Sequence, residues 1–199
     1  MGTITAANKH ALSASLAFGL LALQFAVIHW SPNGLPVRVV LPLTIALVPI
    51  ALWPHRGRIG VWVMFVGMLA NLVAIVANGG LMPITRATVI DAIGAERAAQ
   101  YEAGAWIAGS KDVLVASGEG RAVALGDSII IRIGNGGFAA SPGDVVVWAG
   151  LVVLAAEASI AWQRRPRIEA PTQAEAPNQR PPGLAEAISQ RRRYRRRLA

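Results

Sequence analysis

Between Arg58 and Asn78 the chain reads IGVWVMFVGMLANLVAIVA, nineteen residues (59–77) without a formal charge. An α-helix rises about 1.5 Å per residue, so a helix of this length matches the roughly 30 Å hydrocarbon layer of a bilayer. Asn71 is the one side chain in this stretch that carries an amide or a charge. The stretch therefore predicts a helix that spans a membrane.

Three further apolar runs have the composition of membrane spans, at residues 11–29, 37–53 and 142–163. The first run could instead be a cleaved signal peptide. It is longer than the apolar region of such peptides, which has about 7–15 residues, and no small-x-small cleavage site follows it. The second run contains Pro42 and Pro49, which each remove a backbone donor and predict a kinked helix. The sequence thus predicts an all-α membrane protein with four transmembrane helices.

The composition of the whole chain agrees with this fold class. Of its 199 residues 54% are apolar and 15% are charged, whereas about 25% are charged in a typical soluble domain. The absence of cysteine excludes a disulfide framework and any thiolate site. We expect a four-span membrane domain at residues 1–163 and a disordered basic tail at residues 164–199, where proline, alanine, glutamate and glutamine are frequent.

The orientation follows from lysine and arginine in the short segments that flank the predicted spans. Arg38 alone lies on one side, and six cations lie on the other: Lys9, Arg56, Arg58, Arg164, Arg165 and Arg167. We therefore expect a multi-pass protein of the plasma membrane with both termini in the cytoplasm. The segment at residues 78–141, called the outer segment below, would then lie outside the cell.

The outer segment has patterns of its own. Thr85 can cap a helix that runs from Arg86 towards Gln100. The runs at residues 112–116, 121–125 and 128–133 have the composition of strands and are separated or followed by glycine-rich turns. These patterns predict a short helix and a small β-meander on the membrane surface, and a re-entrant loop is the alternative.

Polar residues near the outer ends of the third and fourth spans form a candidate binding site. Ser141, Pro142 and Asp144 have the spacing of a helix start with a capping box. Asp127 has no such local role, so it is the candidate for binding a partner or a cation. The candidate residues are Asn71 inside the third span and, in what we call the outer mouth, Asn78, Gly79, Gly80, Met82, Pro83, Gly126, Asp127, Ser141, Gly143 and Asp144.

Glu157 is a second polar residue inside a predicted span. An intramembrane carboxylate is a candidate for proton or ion handling, and an ion pair with Arg164, Arg56 or Arg58 is the structural alternative. The sequence contains no recognisable catalytic motif, phosphate-binding loop or metal-ligand cluster. It therefore predicts no catalytic residue, no cofactor and no metal.

The C-terminal arginines could bind anionic lipid headgroups, at about 1 kcal/mol per cation near a membrane surface. They are Arg191, Arg192, Arg193, Arg195, Arg196 and Arg197. Nucleic acid is the less favoured partner, because Tyr194 is the single aromatic residue among them and no folded motif accompanies it. A solvated tail without a partner is the third interpretation.

Three ordered motifs resemble a known family. The third span carries Gly67-x-x-x-Asn71 and runs into Asn78-Gly79-Gly80-Leu81-Met82-Pro83, and Leu125-Gly126-Asp127-Ser128-Ile129 and Ser141-Pro142-Gly143-Asp144 follow. In this order they resemble DUF5317, an uncharacterised bacterial integral membrane family, over about residues 60–155. The resemblance implies a membrane location, and it implies no activity because the family has none assigned.

Three classes of function remain open at this stage. The first is a non-enzymatic structural, assembly or accessory subunit that packs against other membrane proteins. The second is a small transporter or channel subunit, for which the prolines of the second span and Glu157 would be the basis. The third is an enzyme acting on lipid or on envelope precursors, with Asp127 and Asp144 as carboxylates on the outer face.

Overall fold

The computed structural model describes residues 6–116, 118–133 and 136–164. These residues form six α-helices: α1 (Ala6–Trp30), α2 (Gly34–Leu52), α3 (Ile59–Ala77), α4 (Arg86–Ile93), α5 (Ala95–Ala98) and α6 (Pro142–Gln163). They also form four short strands: β1 (Met82–Thr85), β2 (Asp112–Val115), β3 (Ile129–Ile133) and β4 (Gly136–Ala140). Helices α1, α2, α3 and α6 lie in the four predicted apolar runs, and each is long and apolar enough to cross a membrane.

The four long helices pack in a row. α1 contacts α2, α2 contacts α3, and α3 makes the most extensive helix–helix contact of the described residues with α6. Polar side chains support the first of these interfaces. Ser13 Oγ donates to the carbonyl of Ala51, and Thr44 Oγ1 donates to Gln24 Oε1 over 3.0 Å. α1 and α6 therefore lie at the two ends of the row.

Glycine residues set the distance between α3 and α6. Gly60 and Gly67 of α3 are seven residues apart and face Gly150 and Gly143 of α6, which have the same spacing. A methyl group on Gly67 would lie 2.6 Å from the carbonyl oxygen of Gly143, and one on Gly60 would lie 2.6 Å from that of Gly150. Such small residues allow membrane helices to approach with their backbones in contact.

The outer segment packs onto the ends of α2 and α3. Leu81 and Met82 are fully buried against apolar side chains of both helices. The chain enters this contact through Gly80, whose φ of +90° and close approach to the backbone of Arg38 leave no room for a side chain. Arg38 itself donates from Nη1 to the Gly79 carbonyl over 3.0 Å, which joins the start of α2 to the end of α3.

The predicted β-meander is wrong, because the strands pair in a different way. β1 pairs with β2 in parallel, and β3 pairs with β4 in antiparallel orientation, in two separate sheets. The predicted strand at residues 121–125 is a 3₁₀ turn (Val123–Leu125), because Ala122 adopts a left-handed φ of 51° that is incompatible with a strand. The glycine-rich stretch after residue 133, predicted as a turn, contributes Gly136 and Gly137 to β4.

The helix of the outer segment is also shorter than expected. Thr85 caps α4, since its Oγ1 accepts a hydrogen bond from the Thr88 N–H over 3.2 Å, as predicted. The helix ends at Ile93 instead of continuing towards Gln100, because Gly94 has a φ of +90° that an α-helix does not tolerate. The predicted tail lies outside the described residues from residue 165 onwards, and this part includes its arginines at residues 191–197.

The contact between α3 and α6 predicts an unequal response to two glycine-to-alanine changes. Gly67→Ala should destabilise the protein by about 1–3 kcal/mol, because the added methyl group meets the backbone of α6. Gly19→Ala on α1 is the matched control, since nothing lies within 4 Å of its added methyl group. It should be neutral or stabilise by up to about 1 kcal/mol, the helix-propensity gain. Unfolding of both variants in one detergent measures the difference, and equal effects would contradict the glycine interface.

Candidate functional site

The start of α6 contains the predicted capping box. The Ser141 N–H donates to Asp144 Oδ2 over 3.1 Å, and the Asp144 N–H donates to Ser141 Oγ over 2.9 Å. Two of the backbone donors that a helix start leaves without partners are satisfied in this way. The sequence predicted this local arrangement because it depends on four consecutive residues.

The amide of Asn71 joins this cap from the neighbouring helix. Its Nδ2 donates to Asp144 Oδ1 over 2.7 Å, and its Oδ1 accepts from Ser141 Oγ over 2.8 Å. The contact depends on Gly143, since a side chain there would collide with the Asn71 amide. The polar residue inside the third span is therefore paired with the cap of the fourth.

Lys111 is the residue of this site that the sequence analysis missed. Its Nζ lies 2.6 Å from Asp144 Oδ2 and 3.3 Å from Asp127 Oδ1, and its side chain is 21% exposed. Lys111 directly precedes β2, and its carbonyl accepts from the Met82 N–H over 2.9 Å. The one signal in the sequence was its rarity, since it is one of two lysines in a chain with seventeen arginines.

Asp127 lies beside Lys111 and is almost entirely buried, with 2% exposure. Its N–H donates to the Pro83 carbonyl over 3.0 Å, which holds residue 127 against β1. Asp112 is a second buried carboxylate, 7% exposed, at the start of β2. Two carboxylates, those of Asp127 and Asp144, therefore contact the ammonium group of Lys111, and Asp112 adds a third negative charge nearby.

Burial is the main influence on the pKa values of Asp112 and Asp127, the two carboxylates of the site that lie outside the spans. It raises the pKa of Asp127 to about 8, with Lys111 opposing the shift and Asp112 and Asp144 adding to it. Burial also raises the pKa of Asp112, again against the influence of Lys111. Burial alone would lower the pKa of Lys111, but the neighbouring carboxylates outweigh it and raise the value. Lys111 therefore stays charged, and Asp127 binds a proton near neutral pH.

The other residues of the outer mouth serve as connections. Asn78 joins the end of α3 to the 3₁₀ turn, because its Nδ2 donates to the Arg121 carbonyl over 2.7 Å and its Oδ1 accepts from the Arg121 N–H over 3.2 Å. Gly126 packs against the Pro83 carbonyl, where a side chain has no space. Gly79, Gly80, Met82 and Pro83 form the turn and strand described above. The structure thus brings Asp127 and Asp144 together at Lys111, with Asn71 and Ser141 hydrogen-bonded to Asp144. It places the remaining candidates in the supporting backbone.

Glu157 lies at the opposite end of the α3–α6 pair. Its Oε1 accepts from the Ile59 N–H over 2.9 Å, and its Oε2 accepts from the Gly60 N–H over 3.3 Å. A carboxylate at a helix N-terminus is favoured by the helix dipole and by the free backbone donors. The ion pairs between described residues involve Lys111, so the expected arginine partner of Glu157 is replaced by the start of α3.

Comparison with known proteins adds a family and no activity. Residues 9–156 match the model of DUF5317, which is described as a family of unknown function. The match covers more of the chain than the motifs indicated, since it includes the first two long helices. No curated protein and no solved structure matches the chain.

The protonation of Asp127 predicts a pH dependence of stability. Its folded pKa of about 8 exceeds the unfolded value of about 3.9, so the stabilisation from its bound proton decreases as the pH rises from about 4 to 8. The unfolding temperature of the wild type should therefore fall between pH 5.5 and 8 and level off above pH 8. Asp127→Asn should reduce this slope, and the part that remains belongs to Asp112, whose pKa is also raised by burial.

Asp91→Asn is the control for this experiment, because Asp91 is exposed on α4. It should retain the wild-type slope. Thermal unfolding of the three proteins in one detergent across pH 5.5–9 provides the comparison. Parallel curves for the wild type and Asp127→Asn would contradict the assignment of the proton to Asp127.

Proposed function

The chain belongs to the DUF5317 family, and on that premise we propose that it is a non-enzymatic structural, assembly or accessory subunit of a membrane protein complex. The rigid attachment of the outer segment to α3 and α6 carries this proposal. The carboxylate of Asp144 contacts Asn71, Ser141 and Lys111 at the same time, so three parts of the chain meet at one side chain. A segment held in this way can present a surface of fixed shape that another protein recognises.

The hydrogen-bond partners of the candidate residues within the fold support the same function. The side chains of four candidate residues bind backbone groups, Lys111 or one another: Asn71, Asn78, Ser141 and Asp144. In an enzyme of this size we would expect at least some of these groups to face a substrate. Their engagement within the fold favours an architectural role over catalysis.

The arrangement of the long helices favours a subunit over a transporter that acts alone. A row of four helices encloses no central pathway, in contrast to a closed ring. The two end helices present large apolar side chains outwards, for example Phe18 with 74% and Val152 with 70% exposure. Such faces suit lipid or neighbouring membrane proteins, and a transport function would require several copies.

The proposed location is the plasma membrane, with both termini in the cytoplasm and the outer segment outside the cell. The cation bias of the flanking segments supports this orientation. The arginines at residues 191–197 would then lie on the cytoplasmic side, where anionic lipid headgroups are their proposed partners. Nucleic acid remains the less favoured partner for the same run.

Cysteine labelling tests the orientation directly, because the chain contains no cysteine. Glu119→Cys places a thiol at an exposed position of the outer segment, and Gly57→Cys places one in the short segment between α2 and α3. On intact cells a membrane-impermeant thiol reagent should label the first variant and leave the second unlabelled until the cells are opened. The reverse result would contradict the proposed orientation.

Copurification tests the subunit role. We expect the tagged full-length protein, crosslinked in the membrane before extraction, to carry a defined set of other membrane proteins. Asp144→Asn should reduce their recovery several-fold, because it loosens the outer segment, while Asp91→Asn should not. Recovery of the protein alone, or only as copies of itself, would contradict the role of an accessory subunit.

A further inference from the structure

We propose that the outer segment contains a binding site for a single-chain amphiphile with a primary ammonium headgroup, in the cavity between α4, β4 and the end of α1. This site is independent of the subunit role proposed above. Its basis is the combination of an apolar cavity with buried carboxylates that lack hydrogen-bond donors.

The cavity has a volume of about 520 Å³, which lies within the range of about 300–1,000 Å³ typical of small-molecule sites. Most of its wall is apolar and is formed by Ile84, Val89, Ile93, Ile107 and Phe138. The wall also includes Lys111, Asp112 and Asp127. A ligand that fits such a cavity has an apolar body and one polar group.

The cavity lies at the end of a helix that is long and apolar enough to cross a membrane. Ile28 and His29, in the last turn of α1, also form part of its wall. α1 is long and apolar enough to span a bilayer, so its end lies near the level of the lipid headgroups. An amphiphile dissolved in the outer leaflet therefore has its apolar chain and its headgroup at the depths that the cavity requires.

The acidic residues of the cavity wall, Asp112 and Asp127, determine which headgroup the ligand needs. Both carboxylate oxygens of Asp127 and Oδ1 of Asp112 are buried and accept no hydrogen bond from the described N–H and O–H groups. Buried carboxylates are normally paired or hydrogen-bonded. Lys111 lies 3.3 Å from one Asp127 oxygen, but its shorter contact, 2.6 Å, is with Asp144. Asp112 and Asp127 share a side-chain hydrogen bond with each other, and Lys111 is the one ammonium group of the described residues within ion-pair distance of Asp127. The two carboxylates and Asp144 therefore share a single positive charge.

A primary ammonium group supplies what is missing, because it carries one positive charge and three N–H donors. A proton shared between Asp112 and Asp127 neutralises only one of the two charges. Within the described part of the chain, no group of three or more acidic, histidine or cysteine side chains is placed to hold a metal ion. His29, Arg97 and Tyr101 are the other ionisable groups of the wall, and none of them donates to these carboxylate oxygens.

Binding to the purified full-length protein tests this site. Decylamine, decanol and decanoate share one alkyl chain and differ in the headgroup, and isothermal titration calorimetry in one detergent compares them. Decylamine should bind about tenfold more tightly than decanol, as expected for a hydrogen-bonded charge, and decanoate should bind most weakly. A second comparison, of lysophosphatidylethanolamine with lysophosphatidylglycerol, distinguishes a lipid headgroup from a free amine as the source of the ammonium.

Three variants assign the binding to the cavity. Asp127→Asn should weaken decylamine binding about tenfold with little effect on decanol. Ala92→Phe, which places a ring in the apolar wall, should weaken both. Asp91→Asn, exposed on the same helix and outside the wall, should change neither.

Two results would overturn the proposal. One is a lack of headgroup selectivity, seen either as equal binding of decylamine, decanol and decanoate or as unchanged decylamine binding in a folded Asp127→Asn protein. If that variant does not fold, Asp112→Asn takes its place under the same criterion. The other is stabilisation by Ca²⁺ or Mg²⁺ that is lost in Asp127→Asn without any amine binding, which would assign the carboxylates to an inorganic cation.

Discussion

The hydrogen bond between Asn71 and Asp144 is the interaction on which the rest of the structure depends. It joins a residue inside α3 to the first turn of α6, and the same carboxylate accepts from Ser141 and contacts Lys111 of the outer segment. An unpaired amide inside a span costs several kcal/mol in hydrocarbon, on the order of the cost of any unsatisfied polar group there. The start of α6 therefore has to lie where Asn71 can reach it.

This hydrogen bond forms only because the two helix backbones are in contact. Gly143 leaves space for the Asn71 amide, and Gly67 lies against the same turn of α6. Two turns further along, Gly60 and Gly150 repeat the contact, and Glu157 closes it by accepting from the first N–H groups of α3. Polar groups thus fix the register of α3 and α6 at both ends, and the glycines between them provide the close approach.

The sequence predicted the parts of the fold that depend on composition or on nearby residues. The four long helices follow from apolar runs, and the capping box follows from residues 141–144. The pairing of β1 with β2 did not follow, because it joins residues about thirty positions apart and is set by how Leu81 and Met82 pack on α2 and α3. The sequence did not predict the contact of Lys111 with Asp127 and Asp144 for the same reason, since only the folded outer segment brings the three residues together.

The charges around Lys111 exceed what the architecture requires. One carboxylate suffices to attach Lys111 to α6, and Asp144 provides it with a contact of 2.6 Å. Asp112 and Asp127 add two buried acidic groups, and the 3.3 Å ion pair of Asp127 with Lys111 and its contact with Asp112 offset only part of the cost of burying them. Asp127 holds its place on β1 through its backbone N–H, a bond that any residue other than proline could make. The side chains of Asp112 and Asp127 are therefore the part of the outer segment whose burial the proposed ammonium ligand accounts for more fully than their contacts within the fold.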